Sequence, residues 1–169
     1  AYDNGLGLRG HTLLWHSQTP AWFFGIDYDA DEDAVDEDTM DARIDFYVST
    51  VMDHVMQKEK EIAGENGKIV YAWDVVNEAV NGNTYRDDKV ISDLNWTSVY
   101  GDMKGTPSYV KRAFERAYEM LEKYDATDKV TLFYNDYDTY FEVEDLLALV
   151  NFINEGEKAK ICYGIGMQS

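Results

Sequence analysis

The residues best equipped for chemistry in this 169-residue chain stand where apolar runs end. In "YAWDVVNEAV", residues 71–80, Asn77 and Glu78 sit side by side at the close of a mostly apolar stretch. A carboxyl group there, with Trp73 and Val76 near, can have its proton affinity raised by desolvation, which a general acid at neutral pH requires. The amide of Asn77 can donate to a hydroxyl group. A capping Asn-Glu pair at a helix start is the plainer alternative.

Other runs close in a similar way. His11 lies within "LRGHTLLW", Trp15 ends it, and His16 and Gln18 follow it; Asn135, Asp136 and Tyr137 follow "KVTLFY"; Gln168 ends "KICYGIGMQ". Taken singly, each has a bland explanation: a buried histidine, a core or rim tryptophan such as Trp73 or Trp96, a turn made by Asn135 and Asp136. Four runs ending in hydrogen-bonding groups carry more weight together than any one residue.

The elements that must position these groups follow from periodicity. Leu8–Trp15 reads as a strand entering a loop at Pro20. Met40, Ile44, Tyr47, Val51 and Val55 form an amphipathic helical stripe reaching roughly to residue 60. Residues 68–76 form a second strand, and 79–105 show no clear period, as a functional loop or one carrying short helices would. Thr106 and Pro107 start a helix whose core face is Val110, Phe114, Ala117, Met120 and Leu121. A strand over 129–134, a helix over 143–154 facing inward with Leu146, Leu147, Val150 and Ile153, and a strand over 160–168 complete the chain. This strand-helix alternation predicts an α/β fold with parallel strands, one domain, and a ligand face at the strand C-termini.

Composition narrows the partners. Acidic residues outnumber basic ones 33 to 15, for a net charge of −18, which repels nucleic acid and anionic lipid. A neutral polyhydroxyl polymer escapes that field, and 13 Tyr and 4 Trp suit stacking on sugar rings. Cys162, the single cysteine, reads as a buried strand thiol and cannot form an intrachain disulfide. No leader or membrane-length apolar run is evident, and the opening "AYDNGLGLRG" reads as a cut within a domain. Residues 27–41 carry nine acidic side chains, but Glu32 where an EF-hand needs glycine and Asp38 where it needs glutamate argue against a specific calcium site. No metal, cofactor or nucleotide is implied: phosphate loop, zinc spacing and G-x-S-x-G are all absent.

In order, "GHTLLWHSQTPAWF", "WDVVNEA", "FYNDYDTY" and "GIGMQS" resemble the third to sixth strands of the family 10 glycoside hydrolases, retaining endo-β-1,4-xylanases on a (β/α)8 barrel. The resemblance implies a partial TIM barrel of about four βα units spanning 1–169. It implies that Glu78 is the acid/base, Asn77 the partner of the sugar 2-hydroxyl, and His11, Trp15 and Gln18 the lining of neighbouring subsites. Tyr137 would lie on the leaving-group side and Gln168 near the nucleophile. Asp138 stands where the family usually has asparagine. A retaining mechanism needs two carboxyl groups about 5–5.5 Å apart; the family's nucleophile belongs to a seventh strand beyond residue 169, and Asp136, at a strand end, belongs to the supporting loop in the family pattern. The expected partners are xylan or xylo-oligosaccharides, and either the missing barrel half or another copy of the chain. The expected location is secreted or periplasmic. A non-catalytic carbohydrate-binding half-barrel and an open flavodoxin-like nucleotide binder are the competing readings.

Overall fold

A computed structural model describes residues 1–64, 67, 69–81, 94–101, 103 and 105–168. Four strands, β1 (Leu8–Trp15), β2 (Val70–Asn77), β3 (Thr131–Tyr137) and β4 (Gly164–Gln168), form one parallel sheet in the unbroken order β1-β2-β3-β4. Helix α1 (Glu37–Ala63) joins β1 to β2, α2 (Trp96–Tyr100) and α3 (Ser108–Lys123) lie between β2 and β3, and α4 (Val143–Asn154) joins β3 to β4. A flavodoxin-like sheet reverses direction after its first strands, creating a switch point. The sequential order here has none, which removes that reading and matches a stretch of barrel wall.

Helix α1 starts earlier than the apolar stripe suggests, because the Asp36 carboxylate accepts the Thr39 N–H at 2.7 Å and caps it. Its buried face is also rotated: Met40, Ile44, Val48, Met52 and Met56 point inward, while Tyr47 is exposed and Val51 and Val55 flank the core. Steps of four keep one line of side chains against α3 and the sheet, with Val110, Ala113, Phe114, Ala117 and Leu121 answering from α3. In α4 the inward residue is Leu149, with Leu146 and Ile153, and Leu147 faces solvent. Pro107, not Thr106, is the N-cap of α3. Of the unpatterned stretch 79–105, residues 94–100 contain the short helix α2, whose Trp96 ring stacks on Tyr109 at 4.2 Å; residues 82–93 lie outside the described residues.

Strand boundaries differ in a direction that matters. β2 and β3 run further toward their C-termini than hydrophobicity alone indicates, so Asn77, Asn135 and Asp136 are buried strand residues and not turn residues. β4 starts at Gly164, which leaves buried Cys162 just ahead of it. Among the described residues no helix is long and apolar enough to cross a membrane.

Candidate active site

Register places the polar residues in rows across the sheet. His11, Asp74, Phe133 and Gly164 form one row; Trp15, Asn77, Asn135 and Gly166 form the next; Tyr137 and Gln168 form the last, at the C-terminal edge. Residues in register on neighbouring parallel strands point to the same face, so one sheet face carries these groups in layers, as a barrel interior does. Gly166 is required there. A Cβ on it would lie 2.0 Å from Asn135 Oδ1 and 2.9 Å from Arg9 Nη2.

Glu78 follows β2 directly, in the left-handed region at φ 57°. Its backbone N–H donates to Asn135 O at 2.8 Å, and its Oε2 accepts the Trp15 Nε1–H at 2.8 Å. The side chain is half-buried. Gln168 Nε2 donates to Asn77 Oδ1 at 2.8 Å, which ties the end of β4 to the residue before Glu78. The two hydrogen bonds, Trp15 to Glu78 and Gln168 to Asn77, thus tie β1 and β4 to adjacent residues at the end of β2.

His11 is exposed, and its Nδ1 lies 2.9 Å from Asp74 Oδ2. Gln18 is exposed on the loop after β1 and, with His11, Trp15, Thr19, Trp22 and Phe23, lines an open cleft of about 450 Å³. Tyr137 is 37% exposed and donates through its hydroxyl to Asn81 O at 3.1 Å. Its phenol is pushed upward by burial and then by the charges of Asp136, Glu78 and Asp138. Asp136 is fully buried, with one oxygen accepting from Tyr134 and the turn after β2 and the other from its neighbour Tyr137 N–H. It is not presented to a sugar carbon.

Three residues of the site went unrecognised in the sequence. Asp74, buried inside β2, accepts from Arg9 Nε at 2.8 Å and pairs with Arg9 Nη2 at 2.6 Å, besides facing His11. Arg9 stacks over Phe133 at 4.4 Å. A lone carboxylate in an apolar run demands a charged partner, and Arg9 and His11 on the adjacent strand were the candidates. Arg43, on the buried face of α1, donates to Phe23 O at 2.6 Å and Gly25 O at 2.9 Å and lies over the Tyr28 ring, fixing the loop that walls the cleft. Its signal was a single arginine within the apolar stripe. Among the described residues no three His, Cys, Asp or Glu side chains converge as a metal site needs.

Known proteins resemble the chain in sequence and in fold. The family profile Glycosyl hydrolase family 10 matches residues 1–169. Endo-1,4-β-xylanase A of Butyrivibrio fibrisolvens is 46% identical over 168 residues, covering 99% of this chain and 37% of that protein. A putative endo-1,4-β-xylanase of Caldicellulosiruptor saccharolyticus is 35% identical, covering 98% and 46%. The crystal structure of a Clostridium thermocellum endo-1,4-β-D-xylanase complexed with xylohexaose superposes with a TM-score of 0.74 at 31% identity, over 99% of this chain and 31% of that one. That of an endo-1,4-β-xylanase from Caldicellulosiruptor owensensis gives 0.66 at 31% identity, over 99% and 43%. The chain thus spans less than half the length of these relatives, and its four parallel strands are part of a (β/α)8 barrel. By profile, relatives and fold, this chain belongs to glycosyl hydrolase family 10.

Proposed function

We propose that the chain is one part of a catalytic domain that hydrolyses internal β-1,4-xylosidic bonds in xylan with retention, and that Glu78 is its acid/base. The observation that carries this reading is the hydrogen bond from Trp15 to Glu78, which holds a single half-buried carboxylate at the strand C-termini with the Asn77–Gln168 pair beside it. Glu78 protonates the leaving glycosidic oxygen in the first step and draws a proton from water in the second. Asn77 spends its Oδ1 on Gln168, so its Nδ2 hydrogens are the donors it offers to the sugar 2-hydroxyl. His11, Trp15 and Gln18 line the sugar cleft and Tyr137 borders the leaving-group side.

Retention needs a second carboxyl group as nucleophile. Asp136 is buried and engaged, and the family resemblance implies a nucleophile on a seventh strand; on this reading the chain alone binds xylo-oligosaccharides without turning them over. The backbone edges of β1 and β4 seek partners, which favours association with the rest of a barrel or with another copy. A polymeric substrate suits a secreted or periplasmic protein. The names of the relatives, all endo-1,4-β-xylanases, support the substrate class.

The test exchanges residues 1–169 for the matching stretch of the Butyrivibrio relative and assays xylan. Xylan hydrolysis that Glu78→Ala removes supports the reading. Hydrolysis undiminished by Glu78→Ala contradicts it, and xylotriose binding by every form with turnover by none favours a binding role for this chain.

A further inference from the structure

We infer that Asp136 is a positioning residue for Glu78: a buried carboxylate at the tip of β3 that sets the turn on which the acid/base is carried. The inference rests on the reading of Glu78 just proposed. Glu78 begins the turn 78–81, and each of four successive β3 residues bonds to that turn. Tyr134 Oη accepts the Val80 N–H at 2.8 Å, and Asn135 O accepts the Glu78 N–H at 2.8 Å. Asp136 Oδ2 accepts the N–H groups of Val80 and Asn81, each at 3.2 Å. Tyr137 O accepts Asn81 Nδ2, and the Tyr137 hydroxyl donates to Asn81 O.

Asp136 is the hub of this cradle. It is fully buried, it accepts the Tyr134 O–H on the same oxygen that receives the turn, and its other oxygen accepts its neighbour Tyr137 N–H at 2.9 Å. A buried carboxylate is costly without several hydrogen-bond donors, and here they are two turn amides, a phenol and one strand amide. Burial and the neighbouring Asp136 charge push the Tyr134 phenol well above its ordinary value, so it stays a donor throughout the working range. The left-handed backbone of Glu78 is unfavourable by itself. Bonds to the amides two and three residues downstream are what keep that bend and aim the side chain at Trp15.

The chain itself provides the test, because the Trp15 indole N–H reports where Glu78 is. In 15N-tryptophan-labelled protein, with the signal assigned through Trp15→Phe, Asp136→Asn places an amide NH2 or a single acceptor against the turn amides. The Trp15 indole resonance then moves toward the position of a solvent-bonded indole, while that of Trp96, buried against Tyr109, stays. Asp45→Asn, which breaks ion pairs between α1 and α3, leaves the Trp15 signal in place. Tyr134→Phe, a milder change in the same cradle, moves it in the same direction by less, and serves if Asp136→Asn does not fold. An unmoved Trp15 signal in a folded Asp136→Asn, or in Tyr134→Phe, overturns the inference, as does an equal shift in Asp45→Asn. In the completed barrel, misplacing the carboxyl by about 1 Å lowers kcat by up to about 100-fold with KM little changed. Catalysis indifferent to Glu78→Ala alongside a Trp15 signal that follows Asp136 would sink the acid/base reading and leave the positioning intact.

Discussion

The indole nitrogen of Trp15, at the end of β1, lies 2.8 Å from Oε2 of Glu78, one residue beyond the end of β2. An N–H donor aimed at a carboxylate oxygen fixes that side chain's rotamer and leaves the other oxygen to meet a substrate. Removing it with Trp15→Phe keeps the apolar bulk and deletes one charge-assisted bond of about 1.5–3 kcal/mol. In the completed barrel kcat/KM is expected to fall roughly 10- to 100-fold, measured on xylan. A change below twofold would show that the contact does not serve catalysis.

Glu78→Ala separates acid catalysis from binding. A poor leaving group needs a proton and an activated aryloxide does not, so hydrolysis of xylo-oligosaccharides is expected to drop by about 10²–10⁴-fold and the glycosylation step of a dinitrophenyl xylobioside by far less. Equal losses on both substrates would contradict the assigned role.

Acid sensitivity should trace to Asp45. Burial pushes its carboxyl upward, but the bonds from Arg112 Nε at 2.8 Å and Arg116 Nη2 at 2.7 Å, with their charges, outweigh this and hold it below the usual aspartate range. Stability from a lowered carboxylate is complete above the unfolded value near 3.8 and is lost as pH falls through the folded one. Asp45→Asn is therefore expected to melt lower than the parent at pH 7, by on the order of 1 kcal/mol once solvent screening is allowed for. The gap should narrow below about pH 4. A constant gap across that range, read by thermal melts, would remove Asp45 as the cause.

Cys162 should be inert in the folded chain. Burial pushes its thiol up to about 11, and no part of the side chain is open to solvent. Ellman's reagent at pH 8 is expected to label it only after denaturation. Prompt labelling of the native protein would show that the segment before β4 opens.

Gly10 packs directly under Trp73, where a Cβ would come within 2.2 Å of the indole ring. Gly10→Ala is expected to destabilise by about 1–3 kcal/mol through overpacking, seen as a lower urea midpoint. An unchanged midpoint would mean that the β1–β2 contact yields freely.

Much of this architecture could be read from the amino-acid order. Apolar periodicity located all four strands and the helices α1, α3 and α4, because each buries one face. It misjudged which face of α1 turns inward, since Tyr47, Val51 and Val55 sit on the boundary and Val48 and Met52 complete the line of four-residue steps. Hydrophobicity also ended β3 too early: Asn135 and Asp136 are polar, and only their bonds to Arg9, Tyr134 and the turn after β2 explain why a strand continues through them. The proposed site residues were visible because, His11 within β1 apart, they end or follow apolar runs. Asp74, Arg9 and Arg43 were not, because their roles depend on partners 15 to 126 positions away in the chain, which periodicity does not pair.

The bend at Glu78 has an evolutionary corollary. A left-handed φ of 57° costs a glutamate on the order of 1–2 kcal/mol, and Asp138, just past β3, adopts the same bend at 47°. Asparagine tolerates such a bend more readily, so Glu78→Asn should recover part of that strain, offsetting some of the stability lost with the Trp15 bond, while losing its proton donor. Relief of backbone strain and selection for turnover thus pull this one codon in opposite directions, and its persistence as glutamate would measure how strongly the second has prevailed.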